Sequence, residues 1–211
     1  MFITLEGVEG SGKTTQLPLL AEYLQGQGYD VLTTREPGGT PLGDQIRRVL
    51  LDQKNTSMLP RTEILLFQAS RAQLVEEVIK PHLARSGVVL CDRYADSTLA
   101  YPGYGYKVVD LEQLRLVVHF ATCGLKPDLT LFLDVDVEMG LRRRAKDGNL
   151  NRLDVYTHEF YQRVCAGYQE LIRLEPQRWV VIDACQSPDV VQAEMRRVVL
   201  ERLMVGPLEF D

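Results

Sequence analysis

Five short runs of apolar residues are separated by longer segments of mixed polarity along the chain. Each run is nearly all apolar, which is the pattern of strands that are buried on both faces of a parallel sheet. The runs extend over Phe2 to Leu5, Val31 to Thr34, Val88 to Cys91, Leu129 to Leu133 and Trp179 to Ile182.

The segments between these runs have the apolar spacing of amphipathic helices. In the last of them, Val191, Met195 and Val198 recur at helical intervals and so share one face. The predicted helices are Thr14 to Gln27, Pro41 to Leu51, Arg61 to Arg85, Leu111 to Thr122, Val137 to Lys146, His158 to Leu174 and Pro188 to Leu203. Strands that alternate with helices in this way predict an α/β fold, with a five-stranded parallel sheet flanked by helices.

Composition and charge narrow the class of protein further. The chain has 211 residues, of which 45% are hydrophobic and 25% charged, as in ordinary compact globular proteins. A formal net charge of −5 argues against a broad surface for nucleic acid or for anionic membranes. No apolar stretch reaches the roughly 18 residues of a membrane-spanning helix, and Glu6 interrupts the first apolar run, so no secretion signal is expected. We therefore expect a cytoplasmic protein.

The chain shows no linker rich in Pro, Gly or Ser, so we expect one domain over residues 1–211. A segment of about 142–154 is expected to be a short lid inserted into that domain. The tail, residues 204–211, has no helical period and is expected to be loose.

One motif matches the full phosphate-binding pattern G-x-x-x-x-G-K-[ST]. It is Gly7-Val8-Glu9-Gly10-Ser11-Gly12-Lys13-Thr14. The motif follows a predicted strand and opens a predicted helix, where backbone N–H groups of a glycine-rich turn surround a polyphosphate. In such a loop Lys13 contacts the β- and γ-phosphates, and the Thr14 hydroxyl is a ligand of Mg²⁺. The alternative, an ordinary glycine-rich turn, does not explain this placement.

A second candidate site is the Asp92-Arg93 pair, where the third apolar run ends. Ligands of open α/β sheets bind at the carboxyl ends of strands. There Asp92 would hold the metal, directly or through water, and Arg93 would bind phosphate oxygens with its two-pronged guanidinium. The alternative is a surface ion pair that caps the next helix.

The second strand ends in Arg35-Glu36, followed by Pro37-Gly38-Gly39. Arg35 is a candidate ligand for a second anion. Glu36 either pairs with Arg35 or acts as a base if the acceptor is a hydroxyl. A simple turn with a solvated ion pair is the structural alternative.

Phe67 and Arg71 are four residues apart and therefore share a helix face. A ring and a guanidinium in this arrangement are suited to stacking on a base and hydrogen-bonding to it. The spacing alone nevertheless favours core packing for Phe67, because the residue extends an apolar stripe.

A basic cluster runs from Arg142 to Asp154 and includes Arg143, Arg144 and Arg152. Such a run is often a solvated surface. Beside a phosphate-binding loop, however, a movable arginine-bearing segment can close over the triphosphate, exclude water and neutralise the transferring phosphoryl group.

Taken together these motifs resemble the thymidylate kinase family, in the nucleoside monophosphate kinase group of P-loop proteins, over nearly the whole chain. The resemblance is carried by Gly7 to Thr14, Arg35 to Thr40, Phe67 with Arg71, Asp92-Arg93-Tyr94, Ser97-Thr98 with Tyr101, and the basic cluster. It implies that the enzyme transfers the γ-phosphoryl group of ATP to dTMP with the help of Mg²⁺, and that it forms a homodimer.

The resemblance also implies a role for each site residue. Phe67 would stack on thymine and Arg71 would bond its carbonyl, which reverses the core-packing interpretation of the spacing. Arg35 and Arg93 would hold the acceptor phosphate, and Glu9 and Asp92 would help to place the sugar and the metal. Ser97 and Thr98 would approach the base. Tyr101 would pack near the sugar and disfavour a 2′-hydroxyl.

Members of this family carry an essential arginine either where Gly10 stands or in the lid. The present sequence resembles the second, bacterial-type arrangement, so Arg143, Arg144 and Arg152 are the candidates, and the choice among them stays open. The chain departs from bacterial relatives at Pro102, Tyr106 and Asn151, which affects the expected loop geometry more than the reaction.

Two other functions are compatible with parts of the sequence. A deoxynucleoside kinase would use Glu36 as a base, but two arginines for an acceptor that already carries phosphate argue against it. A nucleotide-binding switch would use the phosphate-binding loop without an acceptor site.

Overall fold

The computed structural model of the protein describes residues 1–106, 110–146, 148, 151–155 and 157–205. It contains a sheet of five parallel strands in the order β2-β3-β1-β4-β5. The strands are β1 (Phe2–Glu6), β2 (Val31–Arg35), β3 (Val88–Asp92), β4 (Leu129–Asp134) and β5 (Trp179–Asp183). The predicted fold class is confirmed, and each strand extends one residue beyond its predicted end.

The expectation that all five strands are buried on both faces is wrong for the two edge strands. The residues of β1 are buried throughout, whereas those of β2 are half-buried or exposed and Val181 of β5 is half exposed. An edge strand has only one neighbour, so fewer elements cover it.

Nine α-helices lie in the part of the chain that the structure describes. They are α1 (Lys13–Gly26), α2 (Pro41–Leu51), α3 (Pro60–Leu74), α4 (Lys80–Ala84), α5 (Ala95–Thr98), α6 (Leu111–Thr122), α7 (Val137–Lys146), α8 (His158–Leu174) and α9 (Pro188–Val205). The helix predicted over Arg61 to Arg85 is divided, because a π-helical turn at Val75–Ile79 separates α3 from α4.

The segment after β3 contains helix that the sequence pattern did not predict. The short α5 continues into a π-helix at Leu99–Tyr106, which includes Pro102. Short 3₁₀ turns occur at Arg152–Val155 and Pro176–Arg178. The π-helix packs against α8, where the Phe160 ring lies 6.2 Å from the ring of Tyr101 and 5.2 Å from that of Tyr106.

The chain end differs in part from the expected loose tail. Met204 and Val205 belong to α9, and the rest of the predicted tail, residues 206–211, lies outside the described residues. Of the predicted lid, positions 147, 149 and 150 also lie outside them. No helix in the described part of the chain combines the length and the apolar character needed to cross a membrane.

The core lies on both faces of the sheet because side chains alternate along each strand. On one face Ile3, Leu5 and Leu90 pack with α1, α8 and α9. On the other face Phe2 and Val89 pack with the end of α3 and the following π-helical turn. The burial of β1 between β3 and β4 places its carboxyl end at the middle of the sheet edge.

Candidate active site

A cavity of about 750 Å³ opens at the carboxyl ends of β1 and β3 and at the end of β2. Because neighbouring parallel strands end at one edge, motifs that are distant in sequence meet there. The predicted site residues that line it are Glu9, Gly10, Ser11, Gly12, Lys13, Thr14, Arg35, Phe67, Arg71, Asp92, Arg93, Ser97, Thr98, Tyr101, Arg143 and Arg144. Gly7, Val8 and Arg152 do not line it.

The loop between β1 and α1 depends on glycine conformations. Gly7, Gly10 and Gly12 have φ values of 146°, 69° and 96°, which L side chains rarely adopt. A Cβ on Gly12 would meet no atom within 4 Å, since this residue faces the open cavity at the start of α1. The backbone is therefore exposed to a ligand at the helix N-terminus, where an anion is favoured.

Lys13 is buried beneath this loop and held by it. Its Nζ donates to the carbonyl oxygens of Gly7 and Val8, both at 2.9 Å, and to Ser11 Oγ at 3.0 Å. Burial, together with the nearby Arg93 charge, lowers the pKa of Lys13 to about 8. The ammonium thus lies in a position where a bound anion would stabilise it.

Thr14 and Asp92 form the candidate metal site. Thr14 Oγ1 donates to Asp92 Oδ2 at 3.3 Å. The other carboxylate oxygen, Asp92 Oδ1, is buried and has no hydrogen-bond partner among the described residues. A hydroxyl beside a buried carboxylate oxygen of this kind provides the hard oxygen ligands that Mg²⁺ prefers, so the residues fit the predicted ion.

Arg93 adopts an unusual backbone conformation directly after β3. Its φ is 68°, a left-handed value that costs energy in a non-glycine residue. The side chain donates to Glu9 Oε1 at 3.0 Å and to Ser97 Oγ at 3.2 Å, and it lies 5.0 Å from the centre of the Tyr101 ring. Tyr101 in turn donates to Glu9 Oε2 at 2.7 Å. The cation is therefore fixed at the cavity wall, not in a surface ion pair with Asp92.

Glu6, the last residue of β1, supports the site from below, and the sequence analysis did not single it out. It is fully buried and accepts hydrogen bonds from Tyr94 N at 2.8 Å, Ser97 Oγ at 2.7 Å and Tyr168 OH at 2.7 Å. These contacts join β1 to the turn that carries Arg93. The sequence did contain an indication of this role, because a carboxylate that ends an almost entirely apolar strand needs buried hydrogen-bond partners.

Arg71 is fully buried, and protein atoms accept hydrogen bonds from all three of its nitrogens. It donates to both oxygens of Glu36, with a shortest distance of 2.5 Å, from Nη2 to Oε2. It also donates to Gln68 Oε1 at 2.8 Å, Thr98 Oγ1 at 2.9 Å and the Tyr94 carbonyl at 3.0 Å. Glu36 thus pairs with Arg71, so the first of the two alternatives for Glu36, pairing with Arg35, is wrong.

Phe67 lies one turn before Arg71 on α3 and lines the cavity half-buried. Among the described residues, neither of the two buried apolar clusters includes it. The position of Phe67 is therefore typical of a ring that contacts a ligand, and it does not match the predicted core packing.

Arg35 lies at the cavity rim and pairs with Asp44 at 3.3 Å, with half of its side chain exposed. Arg47 of α2 lines the cavity nearby and donates to the Pro37 carbonyl at 2.8 Å. Burial and the Arg35 charge lower the pKa of Arg47. The sequence analysis missed Arg47, since a single arginine on a predicted helix carries no distinguishing signal.

The three predicted lid arginines occupy different positions. Arg143 and Arg144 line the cavity from α7, and Arg143 Nη1 donates to the Ala184 carbonyl at 3.0 Å. Arg152 instead bonds to Glu63 and to the Leu50 carbonyl. The structure therefore brings two of the three to the cavity.

The fold and this loop define the nucleoside monophosphate kinase group of P-loop proteins. A phosphate-binding loop follows the central strand of a five-stranded parallel sheet, and arginines from other motifs line the same cavity. Comparisons with known proteins identify the family within this group.

A model of the family described as thymidylate kinase matches residues 5–195. The thymidylate kinase of Roseiflexus sp. (strain RS-1) is 49% identical over 211 residues, covering 94% of this chain and 93% of the relative. That of Deinococcus radiodurans is 49% identical over 202 residues, covering 96% and 97%. The crystal structure of thymidylate kinase from Ehrlichia chaffeensis superposes with a TM-score of 0.75 at 36% identity, covering 94% of this chain and 98% of the other. The chain belongs to the thymidylate kinase family.

Proposed function

We infer that this enzyme transfers the γ-phosphoryl group of ATP to dTMP, giving dTDP and ADP. The single observation that carries the inference is one continuous cavity lined by cations from several motifs. The phosphate-binding loop with Lys13 lines it together with Arg35 and Arg93. Two anionic substrates bound in this cavity would meet with their phosphates close together.

The chemistry then needs positioning and charge neutralisation more than proton abstraction. With a second pKa near 6, a monophosphate is largely dianionic at pH 7. One of its oxygens attacks the γ-phosphorus, the bond from that phosphorus to the β,γ-bridging oxygen breaks, and ADP leaves. A deoxynucleoside kinase would need a base, and Glu36, the candidate, is instead bound to Arg71 through both oxygens.

On the donor side we propose that the loop from Gly7 to Thr14 binds the ATP phosphates. Lys13 would release its loop carbonyls to contact the β- and γ-phosphates. Thr14 and Asp92 would hold Mg²⁺, which neutralises phosphate charge when it is bound. Arg143 and Arg144 would approach the transferring group from α7.

On the acceptor side we propose that Phe67 stacks on thymine and that Arg35 and Arg93 bind the acceptor phosphate. Ser97, Thr98 and Tyr101 would contact base and sugar. Arg71 would reach a thymine carbonyl by sharing one of the N–H groups that bind Gln68 and Thr98. Its pairing with Glu36 keeps the side chain fixed for that contact.

A coupled assay against a panel of nucleoside monophosphates, with thymidine as an additional acceptor, tests the proposal. We expect dTMP to give stoichiometric ADP and dTDP, and thymidine to give neither. Rapid phosphorylation of thymidine, or ATP hydrolysis that no acceptor stimulates, would contradict it.

We also propose that the enzyme works as a cytoplasmic homodimer. The side chains of Leu65 on α3 and Leu116 and Phe120 on α6 are 60%, 71% and 86% exposed. Helices α3 and α6 are packed neighbours, and an apolar face of this kind is a candidate for contact with a second copy.

A further inference from the structure

Glu63 and Arg152 form a largely buried ion pair that the proposed phosphoryl transfer does not use. Arg152 Nη2 lies 2.5 Å from Glu63 Oε2, and the two side chains are only 11% and 6% exposed. Arg152 Nε also donates to the Leu50 carbonyl at 2.8 Å. These contacts join the 3₁₀ turn at Arg152–Val155 to the end of α2 and the start of α3.

The second oxygen of Glu63 binds another segment. Tyr106 OH, at the end of the π-helix, donates to Glu63 Oε1 at 3.1 Å. Asn151 and Leu153 flank Arg152 and line the cavity together with Glu63. One carboxylate of α3 thus binds both the turn that carries Arg152 and the end of the π-helix, where these elements border the substrate cavity.

Glu63 also shares a helix face with the residues proposed to contact thymine. Glu63, Phe67 and Arg71 are spaced four residues apart on α3, and all three line the cavity. The helix face that would receive the base is therefore the one that holds the lid segment.

We propose that Glu63 is a positioning residue that holds the turn carrying Arg152 beside the acceptor half of the cavity, and that Arg152 acts as its partner and not as a phosphate ligand. The proposal deepens the proposed function and rests on it. It leaves Arg143 and Arg144 to approach the transferring phosphoryl group. A buried charge that loses its partner is strongly destabilising, so removal of either residue should release the turn that carries Arg152.

Substitution of Glu63 or Arg152 should mainly weaken the binding of the acceptor, dTMP. Glu63→Gln and Arg152→Gln should each raise the KM for dTMP at least about tenfold, with a much smaller change in the KM for ATP. The double variant should resemble either single variant, because residues that act as one unit are not additive. Arg152→Lys should recover part of the loss, since it restores the charge.

Glu138→Gln is the matched control. Glu138 forms an exposed ion pair with Arg142 on α7, in the same part of the chain, and such a pair contributes little. This variant should keep both KM values and kcat near those of the unaltered enzyme. Thermal unfolding of every variant separates a local effect from loss of folding.

A second readout does not require activity. Lys146 is exposed at the end of α7, six residues before Arg152, so faster trypsin cleavage after Lys146 would report release of the turn that carries Arg152. Glu63→Gln should accelerate this cleavage and Glu138→Gln should not.

A large fall in kcat for Arg152→Gln with no change for Glu63→Gln would overturn the proposal and make Arg152 a phosphate ligand. Equal cleavage rates in Glu63→Gln and the unaltered enzyme would also overturn it. If the unaltered enzyme failed to phosphorylate dTMP, the proposed function would fail, while the cleavage rates would still test the anchor.

Discussion

Glu6 is a carboxyl group without solvent contact at the end of the central strand. Burial, reinforced by the nearby Asp96 carboxylate, raises the pKa of Glu6 from 4.5 to about 7, although Arg93 and the hydrogen bonds from Ser97 and Tyr168 oppose this shift. The folded protein therefore keeps a proton on Glu6 in a pH range in which the unfolded chain has lost it.

This difference makes stability depend on pH. Between pH 4.5 and about 7 the folded state binds more protons at Glu6 than the unfolded state, so its contribution to the free energy of unfolding falls as the pH rises. Glu6→Gln cannot titrate, and we expect its free energy of unfolding to decline less across this window. Urea unfolding at a series of pH values measures the effect. Glu22→Gln, at an exposed position of α1, should follow the unaltered protein; identical slopes for all three would exclude Glu6 as the source.

The Arg71–Glu36 pair supports a stability prediction at the same scale. Both side chains are almost fully buried, and the Glu36 charge holds the pKa of Arg71 above its usual range although burial lowers it. Glu36→Gln would leave that cation without its counter-charge, so the free energy of unfolding should fall by about 3–5 kcal/mol.

Glu194→Gln is the comparison for this change. It breaks an exposed ion pair with Arg197 and should cost at most about 1 kcal/mol. Denaturant unfolding of both variants gives the two values. Similar values would show that Arg71 finds another acceptor when Glu36 is lost.

Individual site residues were predictable where a motif fixed their chemistry. The loop sequence placed Lys13 and Thr14 at the cavity because glycine spacing constrains the backbone directly. Pairings between motifs were not predictable: Glu36 lies next to Arg35 in sequence but is bound to Arg71, 35 residues away. Such partners depend on how α3 packs across the strand ends, which local sequence does not encode.

At the scale of elements, α7 rests on the phosphate-binding loop through two glycines. A Cβ built on Gly140 would lie 2.5 Å from the Glu9 carbonyl oxygen, and one built on Gly10 would overlap the backbone of Gly140. Helix α7 carries Arg143 and Arg144, so this backbone contact sets their distance from the loop.

Gly140→Ala should therefore displace α7 or the loop and lower kcat by at least about tenfold, as misplacement of about 1 Å costs more than that in many enzymes. Gly26→Ala is the matched control, since it lies at the end of α1 with no atom within 4 Å of the added methyl group. It should leave kcat unchanged, and steady-state kinetics measures both. Unaltered kinetics in Gly140→Ala would show that the contact is not functional.

Strands were predictable nearly to the residue, because apolar runs bounded by turns leave little choice of period. The π-helical segments next to the α-helices were not predictable. The π-helical turn at Val75–Ile79 and the π-helix at Leu99–Tyr106 have no periodic signature in sequence. They arise where one added residue per turn is accommodated by packing, which often happens beside functional sites.

At the scale of the whole molecule, the exposed apolar face of α3 and α6 supports a prediction of oligomeric state. A charge at Phe120, the most exposed residue of that face, would have to be desolvated in an interface between two copies. Phe120→Glu should therefore have the mass of one chain in light scattering, and the unaltered protein twice that mass.

Leu174→Glu alters an apolar residue of similar type elsewhere, at the end of α8, and should remain a dimer. If the unaltered protein had the mass of one chain, or if Phe120→Glu remained a dimer, α6 would not be the interface.

The close contact of α7 with the phosphate-binding loop limits where an arginine can be placed in this fold. The resemblance implies a second arrangement, in which an arginine of the loop stands where this chain has Gly10. Here that position has no room for any side chain, because the backbone of Gly140 occupies the space. An arginine at position 10 could therefore be accommodated only if α7 first moved away from the loop. A single substitution at Gly10 would not convert one arrangement into the other, because the packing of α7 must change as well.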